Sequence, residues 1–461
     1  MYRVPNARAP TSKGYLLFMM AAFYAVSIID RSVLNILAQP IKTDLRLTDA
    51  QLGVLGGLAF GVLYAGLGIP MARLAEKRAR IDIISIALLV WSTATVACGF
   101  ASNFVQLAAG RVGVGIGEAA CTPCAQSLIA DSYPPKQRTT AMSIYSTAIP
   151  VGTVIGTLAG ALIGTHYGWR SAFFILGLPG IVLAAMARMT IREPSRGMYE
   201  VQHSDRAPSY RTVLAHILGK RTFVHMGLGF LLTSIAASGA AVFNPAFMLR
   251  APFRLHLNGV AIVQTTTSVA MMVGIVASGV LSDRLSKRQP RIQMLLPASS
   301  LLFTAAFLIA SFLQTQVSLF VVLQVLAFLG LVAYIGPTFG ALHNMVESRM
   351  RASAVATINL LTNLVGGGIG PLLVGWLSDH FAAYSYIGAG AFHSDCEAAT
   401  HDALCQTASF QGLRDALILM ALLHAWAAFH YFLASRTVER DLAPKTQPSD
   451  GPANIAAPIS N

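Results

Sequence analysis

Residues 15–38 read YLLFMMAAFYAVSIIDRSVLNILA, and the charged pair Asp30-Arg31 inside this apolar run decides how the rest of the chain is read. Roughly twenty apolar residues in a helix suffice to cross the hydrocarbon core of a bilayer, so the run is a membrane span. Each charge inside it costs on the order of 2.5 to 3.5 kcal/mol to insert. Intramembrane Asp and Arg therefore face a bundle interior or a wet cavity and find partners there. A cleaved leader is the competing reading, prompted by Arg3, Arg8 and Lys13 ahead of the run. The run is too long for that, carries charges in its middle and shows no small-residue cleavage site, so it reads as retained.

Working outward, the chain has 461 residues, 54% hydrophobic and only 11% charged, with a mean hydropathy of +0.59. This composition points to an all-α membrane protein with about a dozen spans joined by short loops. The net charge of +13 would suggest nucleic acid on a soluble domain. Here it reads as the excess of Lys and Arg in cytoplasmic loops, with both termini inside and only Arg31 and Arg111 within the membrane. Of the five cysteines, Cys98, Cys121 and Cys124 fall in predicted helices. Cys121-Thr-Pro-Cys124 looks like a redox or zinc pair, but it lacks two further ligands and lies in an apolar span, so no metal site is read there. Cys396 and Cys405 sit in a long outer loop and can pair if that loop faces an oxidising periplasm.

Taken in order, a cytoplasmic tail (1–14) leads into the first span. The second ends near Met71; the third and fourth run near 81–101 and 104–131. The fifth holds Pro150 with Gly152, Gly156 and Gly160, small positions that let helices approach. The sixth follows Gly168-Trp169-Arg170 and ends near Thr190. Residues 191–221 are polar and basic, a cytoplasmic linker with a short amphipathic helix around Tyr210 to Leu218. Six further spans follow near 222–249, 258–282, 292–312, 316–345, 352–378 and 412–435. The chain thus divides into bundles 15–190 and 222–436, with an outer loop at 380–411 and a disordered cytoplasmic tail at 437–461. The halves repeat. Ala72-x-Leu74-x-Glu76-Lys77 after the second span is echoed by Gly279-x-Leu281-x-Asp283-Arg284 after the eighth, and the glycines of the fifth by Gly366-Gly-Gly-Ile-Gly370-Pro371. Duplicated six-helix halves are the architecture of rocking-bundle transporters.

Along its whole length the chain resembles the major facilitator superfamily, on the Gly-x-Leu-x-Asp-Arg loop and the six-plus-six plan. The second copy of that loop matches; the first departs at Ala72, where the family usually has Gly, and at Glu76, where it usually has Asp. Within the superfamily, Ile29-Asp30-Arg31, Gly115-Ile-Gly117-Glu118-Ala119 and Ala148-Ile-Pro150-Val-Gly152 look like the Spinster branch, whose animal members are lysolipid and sphingosine-phosphate transporters. The resemblance implies two pseudo-symmetric six-helix bundles, no cofactor, and an amphipathic lipid such as a lysophospholipid or sphingoid phosphate as cargo.

The charges can be placed without the family. At 1.5 Å per residue Asp30 lies about 22 Å into the membrane from Tyr15, and Glu118 about 20 Å in from Asp131. The two carboxyls share a depth. Successive helical residues point roughly 100° apart, so only one of Asp30 and Arg31 can meet Glu118. A guanidinium that moves toward or away from a desolvated carboxyl can switch it between holding and releasing a proton. Asp30 and Glu118 are accordingly read as proton-coupling residues. Arg31 partners Glu118 and an anionic headgroup, and Arg111, on the same stripe as Glu118, serves the headgroup or a gate. An ion-pair network that only fixes helix packing is the competing reading. Tyr145, Ser146, Asn359 and Asn363 are further cargo candidates, although helix-helix hydrogen bonding also accounts for the asparagines. His225 and His343 come closest to a titratable group inside the second half. Glu76, Lys77, Arg80, Asp283, Arg284 and Arg288 are candidates for pairs that close the cytoplasmic side, since surface pairs break at low energetic cost.

These residues read together as a proton-linked secondary transporter of the bacterial inner membrane, monomeric and not an enzyme, with no nucleic-acid partner. The proton gradient drives it. Export of drugs or small organic anions is the rival within transporters. An intramembrane lipid-modifying enzyme is the rival from another class, but no Ser/His/Asp grouping converges at one membrane depth.

Overall fold

The computed structural model describes residues 11–194, 210–250, 252–286, 288–346, 350–388, 391–398 and 402–442, and all regular structure among them is helical. Among the described residues ten helices are long and apolar enough to cross a membrane. One of these, over 144–190, is two spans joined at Gly168, whose φ of 80° is left-handed backbone that glycine adopts without strain. The reversal is visible in its neighbours. Gly152 and Gly160 meet Ile28 and Ile36 of the first span in ascending order, whereas Gly180 lies against Val26 and Thr190 bonds Tyr15. The fourth span is broken into Phe104–Glu118 and Cys121–Ser132 and completes the twelve.

The helices form two six-helix bundles, and the apolar core shows how they meet. One cluster joins Val33, Leu37, Leu52 and Leu55 of the first half to Val242, Phe247, Phe320 and Leu413 of the second. Two other clusters stay within one half each, one around Met20, Trp91 and Leu128, the other around Phe223, Met294 and Tyr431. The first cluster lies toward the face that carries the Cys396–Cys405 disulfide (the disulfide face). The other two lie toward the face where the first span begins, at Lys13, and the twelfth ends, at Ser435 (the termini face). Among the described residues the halves are therefore sealed at the disulfide face and parted at the termini face.

Glycines make the seal. A Cβ on Gly53 would strike the Pro371 carbonyl, one on Gly57 the Gly368 carbonyl, and one on Gly375 the Asp49 carbonyl. The second and eleventh spans thus cross backbone to backbone, as small residues permit in membranes. Both helices are irregular there. The second breaks at Gly57, between Asp49–Gly56 and Leu58–Lys77. The eleventh runs Arg351–Leu361, then a π-helical turn Thr362–Gly367, then Gly368–Ser385. Carbonyls loosened in that turn are caught by the seventh span: Ser234 Oγ donates to Thr362 O (3.0 Å) and Ser238 Oγ to Gly366 O (2.5 Å).

Two boundaries differ from the sequence reading. The eleventh span continues to Ser385 and the twelfth starts at Ala403, so the segment between them is shorter than 380–411 and holds a helix, Phe392–Ala398. Polar residues had hidden the helix ends, since Asp402 caps the twelfth span through Leu404 N. Likewise 437–442 is ordered. The Asp441 carboxylate accepts from Thr222 N (2.9 Å) and its carbonyl from Lys220 Nζ (2.7 Å), capping the seventh span. Residues 443–461 and 195–209, which include parts of the expected tail and linker, lie outside the described residues; the helix Tyr210–Leu218 lies within them.

Candidate functional site

Arg31 is the member of the pair that meets Glu118. Its Nη2 and Nε donate to one carboxylate oxygen at 2.5 and 3.0 Å, and Ser27 Oγ, one turn earlier on the same helix face, donates to that oxygen at 2.8 Å. The Glu118 side chain is fully buried, whereas Arg31 keeps 31% of its surface exposed. Glu118 ends the first piece of the fourth span, and the break at Ala119–Ala120 follows at once. Arg31 also lies over two rings of the second span, Phe60 (4.4 Å) and Tyr64 (5.0 Å), an arrangement that stabilises a guanidinium.

Asp30 points elsewhere. Its Oδ2 accepts from Thr95 of the third span (3.0 Å), and its Oδ1 is buried without a hydrogen-bond partner. Arg111 is buried too, with Nε and Nη1 unpartnered among the described residues and its guanidinium 5.5 Å from the Phe60 ring. Glu118 Oε1 likewise accepts nothing among the described residues. One neutralised pair thus lies beside a second carboxyl and a second guanidinium that have no direct bond to each other.

The remaining candidates scatter. Tyr145 is 2% exposed and stacks on Tyr24 at 4.9 Å, part of the wall rather than of an open surface. Ser146 is exposed and donates to Met142 O; Asn363 is exposed and donates to Asn359 O. Arg80, a candidate for the pairs that close the cytoplasmic side, donates here to Asp131 (2.5 Å), Glu193 (2.6 Å) and Ser127. Arg80 is buried, so losing these partners would leave an uncompensated charge. Arg284 and Arg288 are exposed at the parted face. The side chains of Glu76, Lys77, Asp283 and His343 lie outside the described residues. His225 meets His430, Nδ1 to Nδ1 at 3.1 Å. Among the described residues no cluster of three His, Cys, Asp or Glu could hold a metal, and Cys121 and Cys124 are buried and free. Cys396 and Cys405 are joined, with Cα atoms 5.4 Å apart.

Sequence reasoning missed a second cluster, at the disulfide face. Buried Asp49 accepts from Arg250 of the second half (2.9 and 2.5 Å), from Lys42 (2.5 Å) and from Ser378 (2.6 Å). Asp379 accepts the backbone N–H groups of Asp49 and Ala50, at the start of the second span. Burial pushes the Lys42 ammonium below the usual lysine range, with Asp49 opposing. No local signal links Asp49 to Arg250, two hundred residues on. The capping signal Thr48-x-x-Gln51 marks where that helix starts, but not its partner.

Comparison with known proteins fits this geometry. The sequence profile of the Major Facilitator Superfamily matches residues 20–371. An MFS-type efflux pump of Mycolicibacterium smegmatis is 30% identical over 427 residues, 92% of this chain and 93% of that protein. Human protein spinster homolog 1 is 26% identical over 80% of this chain and 74% of its own. The crystal structure of a bacterial homolog to the human lysosomal transporter Spinster, inward-facing and unoccupied, superposes with a TM-score of 0.84 at 31% identity, covering 94% of this chain and 99% of that one. The parted termini face, the sealed disulfide face and these likenesses lead to one assignment: the chain belongs to the major facilitator superfamily and is a Spinster-like secondary transporter.

Proposed function

We propose that this transporter couples proton movement to the passage of an amphipathic lipid, of the lysophospholipid or sphingoid phosphate type, by alternating access in a bacterial inner membrane. The carrying observation is the partly exposed Arg31 bound to fully buried Glu118, with Asp30 beside it. A proton on Glu118 removes the charge that holds Arg31 and frees its planar fork for an anionic headgroup, which it can bind through two parallel hydrogen bonds. Asp30 Oδ1, which accepts nothing, offers a second place for a proton. Phe60 and Tyr64 give apolar surface beside the guanidinium, as an amphiphile requires. Both termini face the cytoplasm in this reading, supported by the inward-facing description of the similar bacterial structure, and the parted face opens to the same side. The chain acts as a monomer.

The test is flux of a labelled lysolipid in reconstituted vesicles with and without a pH gradient, for the native chain, Asp30→Asn and Glu118→Gln. Flux that follows the gradient and is uncoupled by either substitution supports the assignment; flux unaltered by both returns the charges to packing. Export of drugs or small organic anions is the second reading, favoured by the likeness to an efflux pump. Competition between lysolipid and other amphiphiles in the same vesicles separates the two.

A further inference from the structure

Above the Asp49–Arg250 cluster the disulfide face holds a cavity of about 810 Å³, the size of a small-molecule site. Lys42, Arg46, Arg250 and Arg254 line it, against Asp379 as the described acidic side chain on its wall. Lys42 and Arg250 are committed to Asp49. Arg254 donates to Gln406, and the Arg46 side chain has no partner among the described residues. Leu47, Leu249 and Phe392 supply apolar wall, and the Cys396–Cys405 disulfide borders the opening.

Backbone geometry adds a second observation. Among the described residues only Arg46 (φ 50°) and Arg254 (φ 45°) hold left-handed backbone without being glycine. Such positions strain an L side chain, and glycine would fill both without that strain. Both residues are arginine, both line this cavity, and they come from opposite halves of the molecule.

We propose that this vestibule is a second binding site, separate from the Arg31–Glu118 site, for an organic anion with an apolar body, of the phosphate monoester class. Arg46 and Arg254 take the anionic group, for which a planar fork is suited. Leu47, Leu249 and Phe392 take the apolar part. The occupant rests on the cluster that seals the face, within reach of cations that otherwise serve Asp49, so it stands where cargo must pass when that face opens. The proposal uses the sealed face alone and does not depend on which cargo crosses the central site.

The test introduces Thr43→Cys, an exposed position on the cavity wall, into the full chain in nanodiscs, where both faces are accessible. The native free cysteines are buried. Maleimide labelling is followed with hexyl phosphate, hexanol or inorganic phosphate present. Hexyl phosphate at ten times its dissociation constant is expected to slow labelling about tenfold, with hexanol inert and inorganic phosphate weaker. Arg46→Gln with Arg254→Gln should abolish the protection, while Arg31→Gln should leave it. Labelling indifferent to hexyl phosphate, or protection that survives loss of both arginines, overturns the site. Equal protection by inorganic phosphate overturns the role of the apolar wall, and loss in Arg31→Gln assigns the effect to the central site instead. Equilibrium dialysis of radiolabelled hexyl phosphate gives an independent reading: one class of sites lost with the two arginines and kept without Arg31.

Discussion

Asp30 and Arg31 are neighbours in sequence that bind different helices, Asp30 to Thr95 of the third span and Arg31 to Glu118 of the fourth. The first span thereby ties together the two helices that flank the proposed coupling site. The ties differ in kind. Arg31 keeps about a third of its surface exposed, as the proposed exchange of partner requires, whereas Asp30 is sealed.

Glu118→Gln leaves Arg31 without a counter-charge but keeps a group that accepts a hydrogen bond. We expect the protein to fold and its pH-driven flux to fall about tenfold or more, as loss of roughly 1.4 kcal/mol of coupling entails. Vesicle flux against an imposed gradient checks this. An unchanged ratio of driven to undriven flux would sink it.

Gly375→Ala places a methyl group against the Asp49 carbonyl at the seal, while Gly66→Ala meets open space. Overpacking of this kind costs about 1–3 kcal/mol, and here the cost falls on the sealed state alone. The equilibrium should move toward opening at the disulfide face by about 5- to 150-fold. Labelling of a cysteine near the seal should accelerate for the first variant and not for the second.

Removing Arg250 leaves Asp49 with Lys42 and Ser378, and breaking a buried pair costs about 3–5 kcal/mol. Arg250→Gln should therefore lower the unfolding temperature clearly. Asp49→Asn added to it should cost less than the two single changes summed, because the second removes a charge that the first had stranded. Thermal unfolding of the four chains in detergent completes the cycle; strict additivity would show the two residues to be uncoupled.

Asp44 offers a contrast. Burial is the largest single influence on its pKa and raises it, but hydrogen bonds from Arg170 and Trp169, with the charge of Arg170, together outweigh this and hold the carboxyl below its usual value. A carboxyl lowered on folding adds stability above its unfolded pKa, about 3.9, and loses it as pH falls through the lower folded value. The pair is largely exposed, so screening limits it to under about 1 kcal/mol. Asp44→Asn should shift the unfolding temperature slightly at pH 7, and the difference should vanish as pH drops below the carboxylate range.

The hydropathy of the spans was open to reading because it depends on each helix alone. The ninth span, 292–312, is bounded in the sequence as in the structure. Asp30 and Glu118 could be matched by depth, since rise per residue is fixed. What the sequence withheld was rotation: which of two adjacent charges faced Glu118, and that Tyr145 turned toward Tyr24. Rotation depends on packing between helices far apart in sequence. The Asp49–Arg250 seal stayed hidden for the same reason, and because polar residues at helix ends look like ordinary loop. Ser27 carried a usable signal, four residues before Arg31 on the same face.

The π-helical turn of the eleventh span gives that helix slack. A turn holding a surplus residue can pass the surplus along, letting one end of the rod swivel while the other stays put. The serines that catch its carbonyls sit on the seventh span, whose far end carries Arg250. The joint and the bolt thus lie on one continuous helix, along which a swivel at the first would reach the second.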